Sequence, residues 1–180
     1  IDYLFSLETK RSAVGRSALI CRKLSDEDHV FGDDRLFLGY EKSRKGKYLG
    51  LHSIVRVLTG KRYNLITDKG GKIQLNQDDE ETPRKILREY FKSIKDNFYN
   101  DWSGGKYGFV KTSNGIAVFL GLLSRMAMRE PPDKLTQKTF DKYLKRLKGT
   151  RWSNYRDQGL TSEGDRWEVI KKLSKKMKLD

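Results

Sequence analysis

Cysteine and histidine are nearly missing from this chain of 180 residues, which holds one cysteine (Cys21) and two histidines, His29 and His52. A disulfide scaffold needs paired cysteines and a Cys/His zinc site needs about four ligands, so neither can be built within one chain. The same scarcity leaves no histidine to spare for a Ser-His-Asp arrangement, and no nucleophile elbow is written in the sequence. Proline is rare, at three residues, two of them the adjacent Pro131-Pro132. No apolar run approaches the roughly 20 residues of a membrane span. No basic-then-apolar leader opens the chain, and its start at Ile1 reads as that of a fragment. Gly70-Gly71-Lys72 and Gly104-Gly105-Lys106 lack the preceding glycine and the following Ser/Thr of a phosphate-cradling Walker loop. These absences leave the expectation of a cytoplasmic, cofactor-free protein with no membrane partner.

Basic residues, by contrast, are in large surplus. Thirty-eight Lys and Arg face 24 Asp and Glu, a net charge of +14. The surplus is not spread evenly. Residues 41–72 hold nine basic and two acidic side chains, and residues 133–180 hold fourteen and seven, so each stretch carries +7. The remaining segments, 1–40 and 73–132, come to −1 and +1. Two basic regions on a near-neutral scaffold form the electrostatic footprint of a polyanion partner, and nucleic acid is the commonest one inside cells. A solvated lysine-rich surface is the plainer account, but a pI near 9.8 exceeds what solubility asks for.

Apolar spacing supplies the elements. Ala13, Val14, Ala18, Cys21 and Leu24 predict a helix over 9–24, with Cys21 on its buried side as a structural thiol. Leu36–Tyr40 and Tyr48–Leu51 predict a hairpin around a basic turn at Gly46, and Ser53 is placed to cap a helix ending at Gly60. A second short hairpin is expected around Gly70-Gly71. Thr82-Pro83 opens a helix whose stripe is Ile86, Leu87, Tyr90, Phe91, Ile94 and Phe98, and a turn is expected at 101–105. Ser113-Asn114 opens another helix, buried through Ile116, Phe119, Leu120, Leu123 and Met126, which stops before Pro131-Pro132. Beyond the proline pair the chain turns Lys-rich. A helix carrying Phe140, Tyr143, Leu144 and Leu147 ends at Gly149, and residues 150–156 read as a loop. Ser162-Glu163-Gly164-Asp165 resembles a capping box ahead of a last helix with Trp167, Ile170, Leu173 and Met177 on one face. The expected class is therefore α+β, predominantly α-helical, with one or two short β-hairpins. The expected domains are a core over 1–130 and a basic helix-loop-helix subdomain over 131–180.

The candidate binding residues follow from charge and shape. Lys42, Arg44, Lys45 and Lys47 sit in the first hairpin turn. Arg151, Trp152, Asn154, Tyr155 and Arg156 put guanidinium forks and aromatic faces within six residues, able to grip phosphates and stack on bases. Packing against the preceding helix accounts for Trp152 and Trp167 equally well. Lys171, Lys172 and Lys175 extend the basic face, and the amides opening the last helix offer a phosphate seat. Acidic runs at 26–28, 33–34 and 78–81 fit solvated turns and helix starts. Of these, Asp33-Asp34 beside Arg35 is the one pair placed for a metal-dependent nuclease.

The order of Gly50-Leu51-His52-Ser53-Ile54-Val55-Arg56, Ile86-Leu87-Arg88-Glu89-Tyr90-Phe91, Phe98 with Trp102, and Lys111-Thr112-Ser113-Asn114-Gly115 resembles the C-terminal part of the DGQHR-domain proteins. These are relatives of the B component of DNA phosphorothioation (Dnd) systems of bacterial and archaeal DNA modification and phage defence. The likeness runs over roughly residues 10–128, with a looser one in the tail. The Asp-Gly-Gln-His-Arg signature itself occurs nowhere in the chain, so no activity tied to that core is carried over. The resemblance implies a mostly helical module that supports DNA binding. The expectation is accordingly a DNA-binding module working mainly through phosphate contacts, without covalent chemistry of its own. RNA satisfies the same charge argument. The alternatives are the Asp33/Asp34 nuclease and a protein-interaction module of a defence complex.

Overall fold

A computed structural model of the chain describes residues 12–31, 50–103 and 108–179. These residues are predominantly helical. The helices are α1 (Ala13–Asp26), α2 (Leu51–Thr59), α3 (Glu81–Asn97), α4 (Tyr99–Ser103), α5 (Ser113–Met126), α6 (Gln137–Leu144), α7 (Trp152–Asp157) and α8 (Glu163–Met177). The chain divides into two compact units, Ile1–Arg88 and Glu89–Asp180, with the division falling inside α3. Pro131-Pro132 lies within the second unit, where Pro132 opens a short 3-10 turn to Lys134.

In the first unit α1 packs on α2. Ile20, Cys21 and Leu24 of α1, and Ile54, Val55 and Leu58 of α2, are buried at helical spacing. Ser12 caps α1 by accepting the Gly15 amide at 3.1 Å. The next stretch is fastened to that helix start: Asp68 accepts the Ala13 amide at 2.7 Å, and the buried Arg16 donates to the Thr67 carbonyl at 2.9 Å. Residues 61–79 do not form the expected hairpin. Their pairings are isolated bridges, of Gly70 with Thr67 and Asp68 and of Gly71 with Gln74. Here the apolar residues Tyr63, Leu65, Ile66 and Ile73 turn inward as a packed loop, and backbone bonds such as Ile73 N to Leu65 O hold it without a continuing ladder. The other expected hairpin, with Lys42, Arg44, Lys45 and Lys47, lies outside the described residues apart from Gly50 and Leu51, as do Asp33 and Asp34. Gly50, itself in a β-bridge, leads directly into α2, whose first residue is Leu51. Gly50 is the cap residue and Ser53 stands inside the first turn, its amide bonded to the Gly50 carbonyl at 3.1 Å.

The acidic runs at 26–28 and 78–81 serve helix ends, as expected. Asp79, not Thr82, caps the start of α3, accepting the Thr82 amide at 3.0 Å. Pro83 follows within the first turn, where a missing N–H costs nothing. Arg84 binds Glu27 at 2.7 Å and Asp28 at 2.9 Å, and Arg88 approaches Asp28 at 3.5 Å. Burial pushes the Asp28 carboxyl up, but the hydrogen bonds and charges of Arg84 and Arg88 outweigh it and hold the group below its ordinary value.

The second unit is built around α5, buried continuously from Gly115 to Ser124. A helix apolar on every side must be central. Thr112, one residue before the expected Ser113, caps it by accepting the Gly115 amide at 3.1 Å. Residues 99–103, expected in part as a turn, form α4. Tyr90 of α3 donates its hydroxyl to the Phe119 carbonyl at 2.7 Å while its ring meets Phe140 edge-on at 4.9 Å. The polar flank of α3 holds α6: Glu89 accepts the Gln137 amide at 2.9 Å, and Ser93 and Asn97 both donate to Asp141. Because Thr136 makes no side-chain cap bond, Glu89 does that work from a neighbouring helix.

Candidate functional site

The segment expected as a basic aromatic loop is a helix, and that decides where its side chains go. A 3-10 turn, Lys145–Leu147, ends α6, and Gly149 then adopts φ +81. A left-handed residue reverses the chain at little cost when it is glycine. Arg151 stands at the N-cap of α7. On so short a helix Trp152 and Tyr155 point into the core, while Arg151, Asn154 and Gln158 follow the i, i+3, i+7 stripe of the exposed face, with Tyr155 at its edge.

Trp152 is 6% exposed and is surrounded by rings: Phe109 stacks on it at 6.2 Å, Phe98 meets it edge-on at 5.1 Å and Phe119 lies at 5.2 Å. Tyr155, also 6% exposed, leans on Trp152 and Phe109. Base stacking on these two residues, expected from sequence, is therefore corrected. Their faces are already occupied by the core. Trp167 lies beneath the Arg125 guanidinium at 5.1 Å, a packing role as well.

The start of α8 likewise departs from the expectation of a phosphate seat. The capping box forms in full: Ser162 Oγ accepts the Asp165 amide at 3.1 Å and Asp165 Oδ2 accepts the Ser162 amide at 2.8 Å. The backbone amide of Ser162 holds the Asp165 carboxyl below its ordinary value. With Glu163 beside it, this end repels an anion.

Farther along α8, Val169, Ile170, Leu173 and Met177 are buried, and α8 packs on α5. Lys172 and Lys176, one turn apart beside that buried stripe, face the exposed stripe of α7. Between them lies a concavity of about 260 Å³. Arg151, Lys172 and Lys176 supply its charge, Asn154 and Gln158 its carboxamides, and Tyr155, Thr150 and Gly149 the rest of its wall. No carboxylate lines it. The side chains of Arg151, Lys172 and Lys176 are exposed and pair with no carboxylate among the described residues.

Of the expected residues, the fold thus gathers Arg151, Asn154, Tyr155 and Lys172 in one place. It leaves out Lys171, bound to Glu168 at 2.8 Å, and Arg156, bound to Asp157 at 2.8 Å. Lys175 is exposed but does not line the concavity. Lys176 and Gln158 join the site without having been expected there; their signal is the i, i+4 spacing from Lys172 and from Asn154. Part of the basic surplus is structural: Arg146 donates to the Met177 carbonyl and Arg129 to that of Leu179 at 2.9 Å, tying down the end of α8.

Among the described residues no cluster of His, Cys, Asp or Glu is disposed to hold a metal ion, and no helix is long and apolar enough to cross a membrane. Compared with protein families, with curated proteins and with solved structures, the chain matches none of them.

Proposed function

We propose that this chain is a nucleic-acid-binding module, with DNA as its expected target, whose phosphate contacts centre on the concavity between α7 and α8. The observation that carries this reading is the convergence of Arg151, Lys172 and Lys176 on one carboxylate-free hollow. Unpaired cations brought together without an acid to neutralise them attract a polyanion, and release its counterions when they bind. The net charge of +14 and the second basic region at 41–72 extend the attraction beyond the hollow. The binding is largely indifferent to sequence, because phosphate contacts position a protein without reading bases. The resemblance to the DGQHR-domain proteins belongs to the same proposal and supplies its setting, in bacterial or archaeal DNA modification or defence.

Fluorescence anisotropy against double-stranded DNA, single-stranded DNA and RNA over a salt series tests it. A steep fall of affinity with salt is expected. Absence of binding to all three at low salt would assign the surplus charge to an acidic protein partner instead.

A further inference from the structure

A groove that tracks a nucleic acid backbone spaces its cations along its length, one for each phosphate it passes. The hollow between α7 and α8 does the opposite. Arg151, Lys172 and Lys176 are gathered on a space of about 260 Å³. That is somewhat less than the roughly 300–1,000 Å³ of typical small-molecule sites, and of the size for one phosphate with its adjoining sugar rather than a length of strand. The other exposed lysines of α8, Lys171 and Lys175, lie outside it, as does Lys178 just past its end.

Charge and oxygen count give the same answer. An internal phosphodiester carries one negative charge and offers two non-bridging oxygens. A terminal phosphomonoester carries about −1.5 to −2 at pH 7 and offers three. Three cationic groups with no carboxylate among them exceed the charge of either ligand but come closer to that of the second, and their number equals its three oxygens. Arg151 supplies a planar fork for two oxygens, and the lysines supply point charges. Asn154 and Gln158 stand on the same face of α7, where their carboxamides can meet the sugar or base that follows.

We infer that the hollow formed by Arg151, Lys172 and Lys176 binds the phosphorylated end of a nucleic acid strand. This rests on the nucleic-acid reading above and adds to it an end and a charge state.

The test uses the 180-residue chain and one oligonucleotide in three forms: 5′-phosphorylated, 3′-phosphorylated and hydroxyl at both ends. One phosphorylated form is expected to bind about tenfold more tightly than the hydroxyl form, the equivalent of one charge-assisted hydrogen bond. The preference is expected to shrink as pH falls through about 6, where the monoester takes up a proton. Lys176→Ala is expected to abolish the preference while leaving the circular dichroism spectrum unchanged and lowering the affinity for hydroxyl-ended strands by no more than the loss of one phosphate contact, and Lys172→Gln serves as the second variant. Equal affinity for all three forms overturns the inference and leaves the nucleic-acid reading standing. A preference that survives both variants overturns its placement in the hollow. Failure of every form to bind overturns both readings.

Discussion

The ring planes of Trp152 and Phe109 lie within 8° of parallel, with their centroids 6.2 Å apart. This stack joins α7 to the segment preceding α5, and it makes the most prominent aromatic of the basic stretch a support for the face of α7 that lines the hollow. Trp152→Ala is expected to destabilise the protein by about 3–5 kcal/mol, the usual cost of deleting a large buried aromatic. Trp152→Phe is expected to lose less than half of that and to keep nucleic acid affinity within about twofold, since area burial and not base stacking is its role. Urea unfolding followed by anisotropy on the folded variant separates the two. A strong loss of affinity in a fully folded Trp152→Phe would return the indole to the binding surface.

Lysines on α8 are expected to divide by position. Lys172 and Lys176 line the hollow, whereas Lys171 is paired with Glu168. Lys172→Ala with Lys176→Ala should reduce the slope of log affinity against log salt by about two, one for each phosphate charge no longer neutralised. Lys171→Ala should change it by much less. A comparable effect from both would mean that the helix acts as a diffuse positive surface.

Asp28 and Arg84 set an acid limit on the first unit. Because the Asp28 carboxyl lies below its ordinary value in the fold, the unfolded chain takes up its proton first as pH drops. Its contribution is therefore complete above about pH 4, the value of a free aspartate, and is lost as pH falls through the lowered value. Asp28→Asn should cost about 1 kcal/mol at neutral pH, a modest figure suited to a part-buried ion pair at the edge of the fold. Chemical denaturation of the two proteins at pH 7 and pH 2.5 should show a larger difference at the first than at the second.

Cys21 is fully enclosed between α1 and its neighbours, and burial pushes its thiol up to about 12. Since the thiolate is the reactive form, a disulfide-exchange reagent at pH 8 should label it only as the first unit opens. Labelling rates measured across a urea series should follow that unfolding. Rapid labelling in native buffer would contradict the packing of α1 on α2.

How much of this was legible in the sequence depends on the range of the interaction that decides it. The stripe from Ile86 to Phe98 and the run from Ile116 to Met126 announced α3 and α5, because helical spacing of apolar residues is a local property. The Ser162/Asp165 box was readable for the same reason, since its two bonds close within four residues. The caps of α3 and α5 were displaced by one to three residues from those expected, because several polar residues stand in a row there and only one acquires the required backbone geometry, and at α2 the helix begins at Leu51, before the expected Ser53. Residues 61–79 defeated the hairpin expectation, because their apolar residues are drawn into the core instead of pairing across a ladder.

The sequence by itself determined that the chain is largely helical, strongly basic and poor in groups for zinc or disulfide chemistry, since composition and short-range periodicity carry that information. Only the tertiary structure decided which cations act together. Arg151 and Lys176 lie 25 positions apart in the sequence and meet at one hollow because Trp152 and Tyr155 anchor α7 in the core while Ile170, Leu173 and Met177 anchor α8. The same burial removed the aromatics from the surface, because apolar rings gain more by leaving water than by waiting on it for a base.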